Sequence, residues 1–442
     1  MASNRDSNGG KTGAAQGSGG LTRRRLLQTS AATAGAAVGS GLVTGFPTVW
    51  SQKLKDVTLL HVGSSYSAII DIARQASQDL GFKIEMQSVN GDALVNRVVT
   101  QPSTVDIADL EYWAVRKVWP RGVLQGIETA KIGRWDKISP LFTQGKYPDG
   151  REVTLEGTAP YEVQYTEEKE GNRFAAGPTD HATLLPQIYN ADTLGIRPDL
   201  IGRPIESWSE LLNPDFAGKV ALVDIPSIGI MDVAMALEAK GEMTYADKGN
   251  MTKEEIDKTI AALIDLKRQG HFRAFWNSFD QSVNLMASGE VMIQSMWSPA
   301  VTAVRTRGID CQYVALKEGY RAWAAGLGLM RHLDGLKLEA AYEYMNWYLS
   351  GWQGAFIARQ GYYTPVLETT KAAMAPDEWG YWYMGEKAEE PVKDPYGNVM
   401  EKAGAVRDGG SYEQRMGNIA CWNTVMDENV YMVRKWNEFI SA

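Results

Sequence analysis

The residues of this chain that could do chemistry do not form a catalytic pattern. The sequence has no G-x-S-x-G nucleophile motif, no H-E-x-x-H zinc motif, no Walker loop and no G-x-G-x-x-G after a predicted strand. The four histidines are scattered without the spacing of metal ligands; they are His61, His181, His271 and His332. We therefore expect no catalytic residue, no metal site and no cofactor.

One alternative is a secreted enzyme. Asp180 and His181 lie side by side at a predicted crossover between domains, and together with Glu111 they could act as acid and base groups. A histidine in such a place is more often a surface or loop residue. The missing nucleophile and metal motifs argue against the enzyme.

Aromatic residues point to a binding pocket instead. The chain has 14 Trp and 19 Tyr, a surplus that suits an aromatic-lined pocket as well as buried cores. Trp297 is well placed for a pocket. It follows a predicted buried strand at 291–293, and Pro299 then opens a helix that extends to Arg307. Ligands bind at the carboxyl ends of strands in open α/β sheets. The alternative is a Trp that only fills the corner between strand and helix.

The elements that would position these residues alternate along the chain. A strand at 57–62, a helix at 68–80 and a strand at 82–89 are typical of a parallel α/β sheet. A further strand at 105–108 leads directly into Asp109-Leu110-Glu111-Tyr112-Trp113. Two polar segments, 145–177 and 376–411, are predicted to be surface excursions.

Three motifs resemble those of one known family. The stretch from Trp208 to Val220 reads W-x-x-L-x-x-P-x-F-x-G-K-V, Gly361 to Pro365 reads G-Y-x-T-P, and a helix ending in S-G-E-V precedes the strand before Trp297. These motifs resemble the family 1 extracellular solute-binding proteins, the receptors of ABC importers, and especially their polyamine-binding (spermidine/putrescine) branch. The resemblance covers roughly residues 55–440 apart from the two excursions.

The resemblance implies an α/β, two-lobed periplasmic-binding-protein-like fold of type II. Two discontinuous domains would be joined by two crossovers, with the ligand in the cleft between them. The expected lobes are residues 53–178 plus 323–442 and residues 179–322. Such lobes close around a ligand by hinge motion.

Matching the sequence to the family's pocket positions, and adding the loop after the strand at 220–223, predicts the ligand-binding residues. They are Ser64, Tyr66, Glu111, Trp113, Asp180, His181, Ser227, Trp297, Trp323, Tyr362 and Trp422. The family's acidic partners of polyamines are largely replaced. At one of these acidic positions this chain has Ala325. The loop that carries the family's other acids keeps only Asp224 and, further on, Asp232. A dication without paired anions would be poorly solvated.

We therefore expect a small organic solute that carries a carboxylate or is zwitterionic. The hydroxyl of Ser227 and free N–H groups at a helix start favour an anion. The aromatic residues suit an apolar body or a quaternary ammonium, and Glu111 or Asp180 could meet one positive centre. A polyamine remains the alternative ligand. Ferric iron is disfavoured, because the family's adjacent iron-binding tyrosines would fall at Met296 and Trp297.

The resemblance also implies a monomeric receptor that delivers its solute to a membrane permease. The chain has 442 residues, is 44% hydrophobic and has a net charge of −8 without a basic block after its N-terminal region. Nucleic acid is therefore not an expected partner. Cys311 and Cys421 lack C-x-x-C spacing, and we expect two buried free thiols, although an oxidising compartment would permit a disulfide.

The N-terminal region resembles an export signal. Residues 1–20 are rich in Gly, Ser and Asn and are expected to be disordered. Arg23 and Arg24 then precede a mild apolar run at 29–46, which resembles a twin-arginine signal peptide. The run contains too much Gly, Ser and Thr for a membrane anchor. We expect residues 1–52 to comprise tail and signal, with cleavage between Ala37 and Lys53, and a periplasmic protein.

Export is predicted to depend on the arginine pair. The double substitution of Arg23 and Arg24 by Lys should leave the precursor in the cytoplasm, because the export machinery reads the guanidinium groups. Cell fractionation and immunoblotting measure this. Replacing Arg25 alone by Lys is the matched control. A normal periplasmic yield from the double variant would contradict the prediction.

Overall fold

The computed structural model of the chain describes residues 54–89 and 91–442. The predicted disordered tail, the export signal and its cleavage region lie outside the described residues.

The described chain alternates strands and helices in the predicted manner. The strands are β1 (Thr58–Gly63), β2 (Lys83–Ser88), β3 (Ile107–Glu111), β4 (Leu124–Gln125), β5 (Ile127–Glu128), β6 (His181–Ala182), β7 (Leu185–Ile196), β8 (Val220–Val223), β9 (Phe272–Trp276), β10 (Ile293–Met296), β11 (Gln312–Tyr313), β12 (Tyr320–Met330), β13 (Val392–Lys393), β14 (Val399–Glu401) and β15 (Ile419–Trp422). The α-helices are α1 (Ile70–Leu80), α2 (Gly91–Thr100), α3 (Tyr112–Val118), α4 (Pro140–Thr143), α5 (Pro198–Ile201), α6 (Pro226–Ala239), α7 (Lys253–Arg268), α8 (Phe279–Ser288), α9 (Ser298–Arg305), α10 (Gly335–Tyr348), α11 (Trp352–Ala358), α12 (Leu367–Ala372), α13 (Pro376–Trp379), α14 (Tyr412–Met416) and α15 (Asn429–Ser441).

A mixed sheet organises these elements, with β2-β1-β3-β12-β7-β10-β8-β9 as its main strand order. Strands β1, β2 and β3 are parallel to one another, and so are β8, β9 and β10. The long strands β7 and β12 are antiparallel to each other and join the two parallel halves. They contain the segments predicted as the two crossovers, and the predicted α/β fold is confirmed.

The apolar interior divides into cores on either side of the long strands. The first core contains residues of β1, β3 and α10, such as Val62 and Tyr344. The second contains residues of β8, α6 and α7. A smaller third core lies around Trp276 and Met296. Helix α15 packs into the second core through Trp436 and Phe439. The lobe boundaries stay a prediction.

Strand β10 lies later in the chain than the predicted strand at 291–293. Gln294 and Ser295 extend the strand although they are polar, because their side chains are buried and bonded. The Gln294 amide donates to Ser282 O at 2.9 Å, and Ser295 Oγ accepts from the backbone of Val223 at 3.3 Å. The predicted stop of the preceding helix is present: α8 ends at Ser288, and Gly289 has φ 74°.

The two polar excursions each touch the region of the second and third cores. In the first, Glu156 pairs with Lys248 at 2.7 Å. In the second, Glu401 pairs with Arg305 of α9 at 2.9 Å. The second excursion was predicted to lie on the surface, but part of it lies in the interior. Three consecutive aromatic side chains there are buried: Tyr381, Trp382 and Tyr383. The prediction of two free buried thiols, Cys311 and Cys421, is confirmed.

A buried arginine ties several elements together. Arg321 on β12 is 2% exposed, and its Nε donates to Asp232 Oδ1 of α6 at 2.7 Å. Its Nη1 lies 3.6 Å from Asp192 Oδ2 of β7 and donates to Asn423 Oδ1 at 2.6 Å. Burial raises the pKa of Asp192 to about 6, against the opposing effect of Arg321. One guanidinium thus joins two strands, a helix and the segment after β15.

Removing one carboxylate from this group should destabilise the fold. Asp232→Ala leaves the buried guanidinium with the neutral Asn423 and the longer contact to the Asp192 carboxylate, and we expect a loss of about 3–5 kcal/mol in the free energy of unfolding. Urea unfolding followed by circular dichroism measures it. Asp215→Ala, at an exposed site, is the control and should change little. A loss for Asp232→Ala as small as that of the control would contradict the assignment.

Candidate functional site

The first loop of the site follows β1. Ser64 O accepts hydrogen bonds from the backbone N–H of Ser67 at 3.0 Å and of Ala68 at 2.7 Å, which closes a tight turn. Gly63 permits the turn to lie against β3, because a Cβ at this position would lie 2.7 Å from Asp109 Cβ. The turn carries the half-buried Tyr66 towards the carboxyl end of β3.

The second loop supplies a carboxylate that two aromatic side chains hold. Glu111 ends β3, and its Oε1 accepts from Tyr66 Oη at 3.2 Å. Its Oε2 accepts from Trp113 Nε1 at 2.8 Å. Burial raises the pKa of Glu111. The structure thus brings together three residues that the sequence predicts as ligand-binding.

Two further predicted residues, Trp323 and Tyr362, lie beside Tyr66. We call these three residues the aromatic cluster. The ring centroids of Tyr66 and Trp323 are 5.0 Å apart, those of Trp323 and Tyr362 are 5.8 Å apart, and those of Tyr66 and Tyr362 are 6.3 Å apart. All three residues are half-buried. Partly exposed rings beside a carboxylate can receive an apolar body or a cationic group.

Trp297 sits where the sequence predicts, after β10 and before α9. Its ring packs edge-on against Trp276 with centroids 4.8 Å apart, so it belongs to a second aromatic pair. The following Ser298 approaches the turn that carries Tyr362: its Oγ lies 3.7 Å from the position a Cβ on Gly361 would take. The Trp297–Ser298 corner therefore borders the aromatic cluster through this turn.

The structure places the other predicted residues elsewhere. Trp422 is 1% exposed and donates from Nε1 to Thr154 O at 3.1 Å, so it packs as a core residue. Asp180 is exposed, and its O accepts from the backbone of Thr129; His181 lies in β6 opposite Glu128. Among the contacts of residues 54–89 and 91–442, none joins Asp180 or His181 to the aromatic cluster.

Ser227 lies in the first turn of α6 and is half-buried. The neighbouring Ile228 packs against the third core, as Trp297 does. The two carboxylates near this loop differ in their partners. Asp232 is paired with the buried Arg321, whereas Asp224 accepts only a neutral donor, Trp436 Nε1, at 2.8 Å. Asp232 is therefore a structural partner of the arginine.

Sequence reasoning missed Asp109 as a site residue. It is 2% exposed and lies two residues before Glu111 on β3, so both side chains project from one face of the strand. Its Oδ2 accepts from Ser67 Oγ, whereas Oδ1 has no hydrogen-bond partner within the described part of the chain. Burial raises the pKa of Asp109 to about 7. The i, i+2 spacing of two acids at a strand end was the available signal.

Within residues 54–89 and 91–442, no group of three or more His, Cys, Asp or Glu side chains could hold a metal ion. No helix within those ranges is both long and apolar enough to cross a bilayer.

Solved structures with the same fold include several solute receptors. The spermidine/putrescine ABC transporter substrate-binding protein PotD of Streptococcus pneumoniae aligns with a TM-score of 0.59 at 13% identity, covering 87% of this chain and 98% of that one. The TpPotD lipoprotein of Treponema pallidum gives 0.58 at 11% identity, with 87% and 98% covered. The Atu4243 GABA receptor gives 0.52 at 19% identity, with 73% and 87% covered. At these identities the likeness shows the fold.

A comparison with curated proteins gives no match. The family described as bacterial extracellular solute-binding protein matches residues 71–383, which is more than half of the chain. The resemblance drawn from the Trp208 and Gly361 motifs is confirmed, and the chain belongs to the bacterial extracellular solute-binding protein family.

Proposed function

We propose that this protein is the periplasmic receptor of an ABC importer and captures a small zwitterionic solute against the aromatic cluster and Glu111. The observation that carries the proposal is a cluster of three half-buried rings that is joined through Tyr66 to the Glu111 carboxylate at the end of β3. The same proposal includes twin-arginine export, a monomeric receptor and delivery to a membrane permease.

The positive end of the solute would lie at Glu111. Its carboxylate is bonded by Tyr66 and Trp113, so it is fixed in position before a ligand arrives. A preformed anion beside aromatic faces favours a cationic group through both Coulomb and cation–π attraction. Preorganisation lowers the entropic cost of binding.

The negative end would lie towards the Trp297–Ser298 corner. The hydroxyl of Ser298 approaches the Tyr362 turn, and Ser227 lies in the first turn of the 14-residue helix α6. Hydroxyl groups and helix N-termini favour carboxylates. A solute with an ammonium at one end and a carboxylate at the other fits these two ends.

A linear polyamine is the second candidate, supported by the fold shared with spermidine/putrescine receptors. Its second ammonium needs a second anion. The carboxylates of Asp192 and Asp232 already face Arg321, and Asp224 is bonded to Trp436. The far ammonium of a polyamine would therefore find Asp224, whose Oδ1 already accepts from Trp436, as its one carboxylate near Ser227 within the described residues, which makes a polyamine the weaker candidate.

An enzyme that uses Asp180, His181 and Glu111 together is disfavoured by their positions. Asp180 and His181 contact the β5–β6 region and Thr129, whereas Glu111 contacts Tyr66 and Trp113. Acid and base groups must reach the same substrate atoms.

A thermal-shift panel on ligand-stripped protein tests the proposal. The panel contains α- and ω-amino acids, betaines, organic acids, putrescine and spermidine. A zwitterion at 100 times its dissociation constant should add about 2.7 kcal/mol of stability, a readily visible rise in Tm.

Glu111→Gln should abolish the shift, because it removes the anion and keeps the shape of the side chain. Asp180→Asn is the matched control and should keep the shift. A rise with spermidine or putrescine alone would favour the polyamine receptor. No shift with any compound of the panel would overturn the proposal.

A further inference from the structure

A small pocket lies beside the aromatic cluster and has an unusual lining. Ser64, Asp109, Glu111 and Trp113 surround it, together with Leu94 and Val95 of α2. Both acids project from the same face of β3, two residues apart. The pocket thus combines two carboxylates of β3, a hydroxyl from the loop after β1 and apolar walls from α2.

The deeper carboxylate is incompletely satisfied. Asp109 is 2% exposed, and its Oδ1 has no partner among the described residues. The buried side chain of Gln187 lies close enough to lower the pKa of Asp109, but its amide makes no hydrogen bond within the described residues. A buried carboxylate oxygen without a close donor is costly, so at a pocket wall it is suited to a donor from outside the chain.

The titratable groups around Asp109 in the described part of the chain do not include a cation that neutralises it. Glu111 faces it from the same strand, Tyr66 from the β1 loop, and Tyr344 and Tyr348 from α10. His61 of β1 lies behind Tyr344, and burial lowers its pKa to about 3, so the ring is neutral. The nearest ammonium on α3, that of Lys117, lies over the Trp113 ring, 5.8 Å from its centroid.

We propose that this pocket binds the primary ammonium group of the solute between Asp109 and Glu111. The inference deepens the proposed receptor function and rests on it. A primary ammonium has three N–H donors, which match the open oxygen of Asp109, a carboxylate oxygen of Glu111 and the Ser64 hydroxyl. A quaternary ammonium has no donor and could use only the aromatic faces. The pocket therefore selects amines over betaines.

Binding should release a proton. Near pH 7 Asp109 is partly protonated, because burial raises its pKa to about 7. An entering ammonium favours the ionised carboxylate, so the proton leaves Asp109 for the buffer. Affinity should then rise by about tenfold per pH unit up to about pH 7 and level off above it.

Isothermal titration calorimetry on the full mature chain, stripped of ligand, tests the inference. The probes are ω-amino acids of two to six carbons, the N-trimethylated analogue of each, and Ca²⁺ alone. Titration in two buffers of different ionisation enthalpy counts the protons released. The variants are Asp109→Asn and Glu111→Gln, and Asp92→Asn on the exposed first turn of α2 is the control.

The expected result is that one amino acid binds, that its trimethyl analogue binds at least about 30-fold more weakly, and that binding near pH 7 releases about half a proton. Asp109→Asn should remove the proton release and weaken binding by a similar factor, whereas Asp92→Asn should do neither. Unfolding curves without ligand check that each variant is folded.

Three results would overturn the inference while leaving a solute receptor in place. The trimethyl analogues bind as tightly as the amines, Asp109→Asn binds normally with the same proton count, or only an amine-free acid of the earlier panel binds. Ca²⁺ binding that Asp109→Asn abolishes, with no amine bound, would assign the pocket to a metal ion instead. Failure of every probe here and of the earlier panel would overturn the receptor function as well.

Discussion

The pairing of two buried carboxylates with Arg321 determines which acidic side chains near the proposed site are left without a cationic partner. The guanidinium is buried beside the ligand region and takes up the charges of Asp192 and Asp232. Removing charges from water is costly unless they are paired, so these two acids are structural partners of the arginine. Among the described carboxylates near the proposed site, Asp109 and Glu111 of β3 have no salt bridge and, with Asp224, remain available to a ligand.

The same group of residues also fixes the geometry of the site. Arg321 lies two residues before Trp323 on β12, and it bonds Asn423, whose backbone N–H donates to Ala322 O at 2.7 Å. The Asn423 side chain also lies within hydrogen-bonding reach of Glu111. Asn423 therefore lies between the buried ion pairs and the carboxylate that Tyr66 and Trp113 hold. Polar contacts of this kind, on the side of a binding group that faces the protein interior, keep that group in place.

Much of this arrangement could be predicted because it depends on local patterns. A strand end followed by Pro299 determines the Trp297 corner, and the motif around Gly361 marks the turn of Tyr362. Features that depend on distant contacts could not be predicted. Trp422 is a core residue because Thr154 of the first excursion covers its indole nitrogen. Gln294 and Ser295 lengthen β10 because distant backbone groups satisfy them. The open oxygen of Asp109 is visible only once β1, β3 and α10 are packed.

The central claim is that the solute lies on the aromatic cluster with its positive group at the acids of β3. A crystal structure of the protein with the solute that binds most tightly in solution tests it most directly. The account predicts density for the solute in contact with Tyr66, Trp323 and Tyr362, with its nitrogen within about 3 Å of a carboxylate oxygen of Glu111 or Asp109. Solute density elsewhere, or with its nitrogen turned away from both acids, would contradict the account.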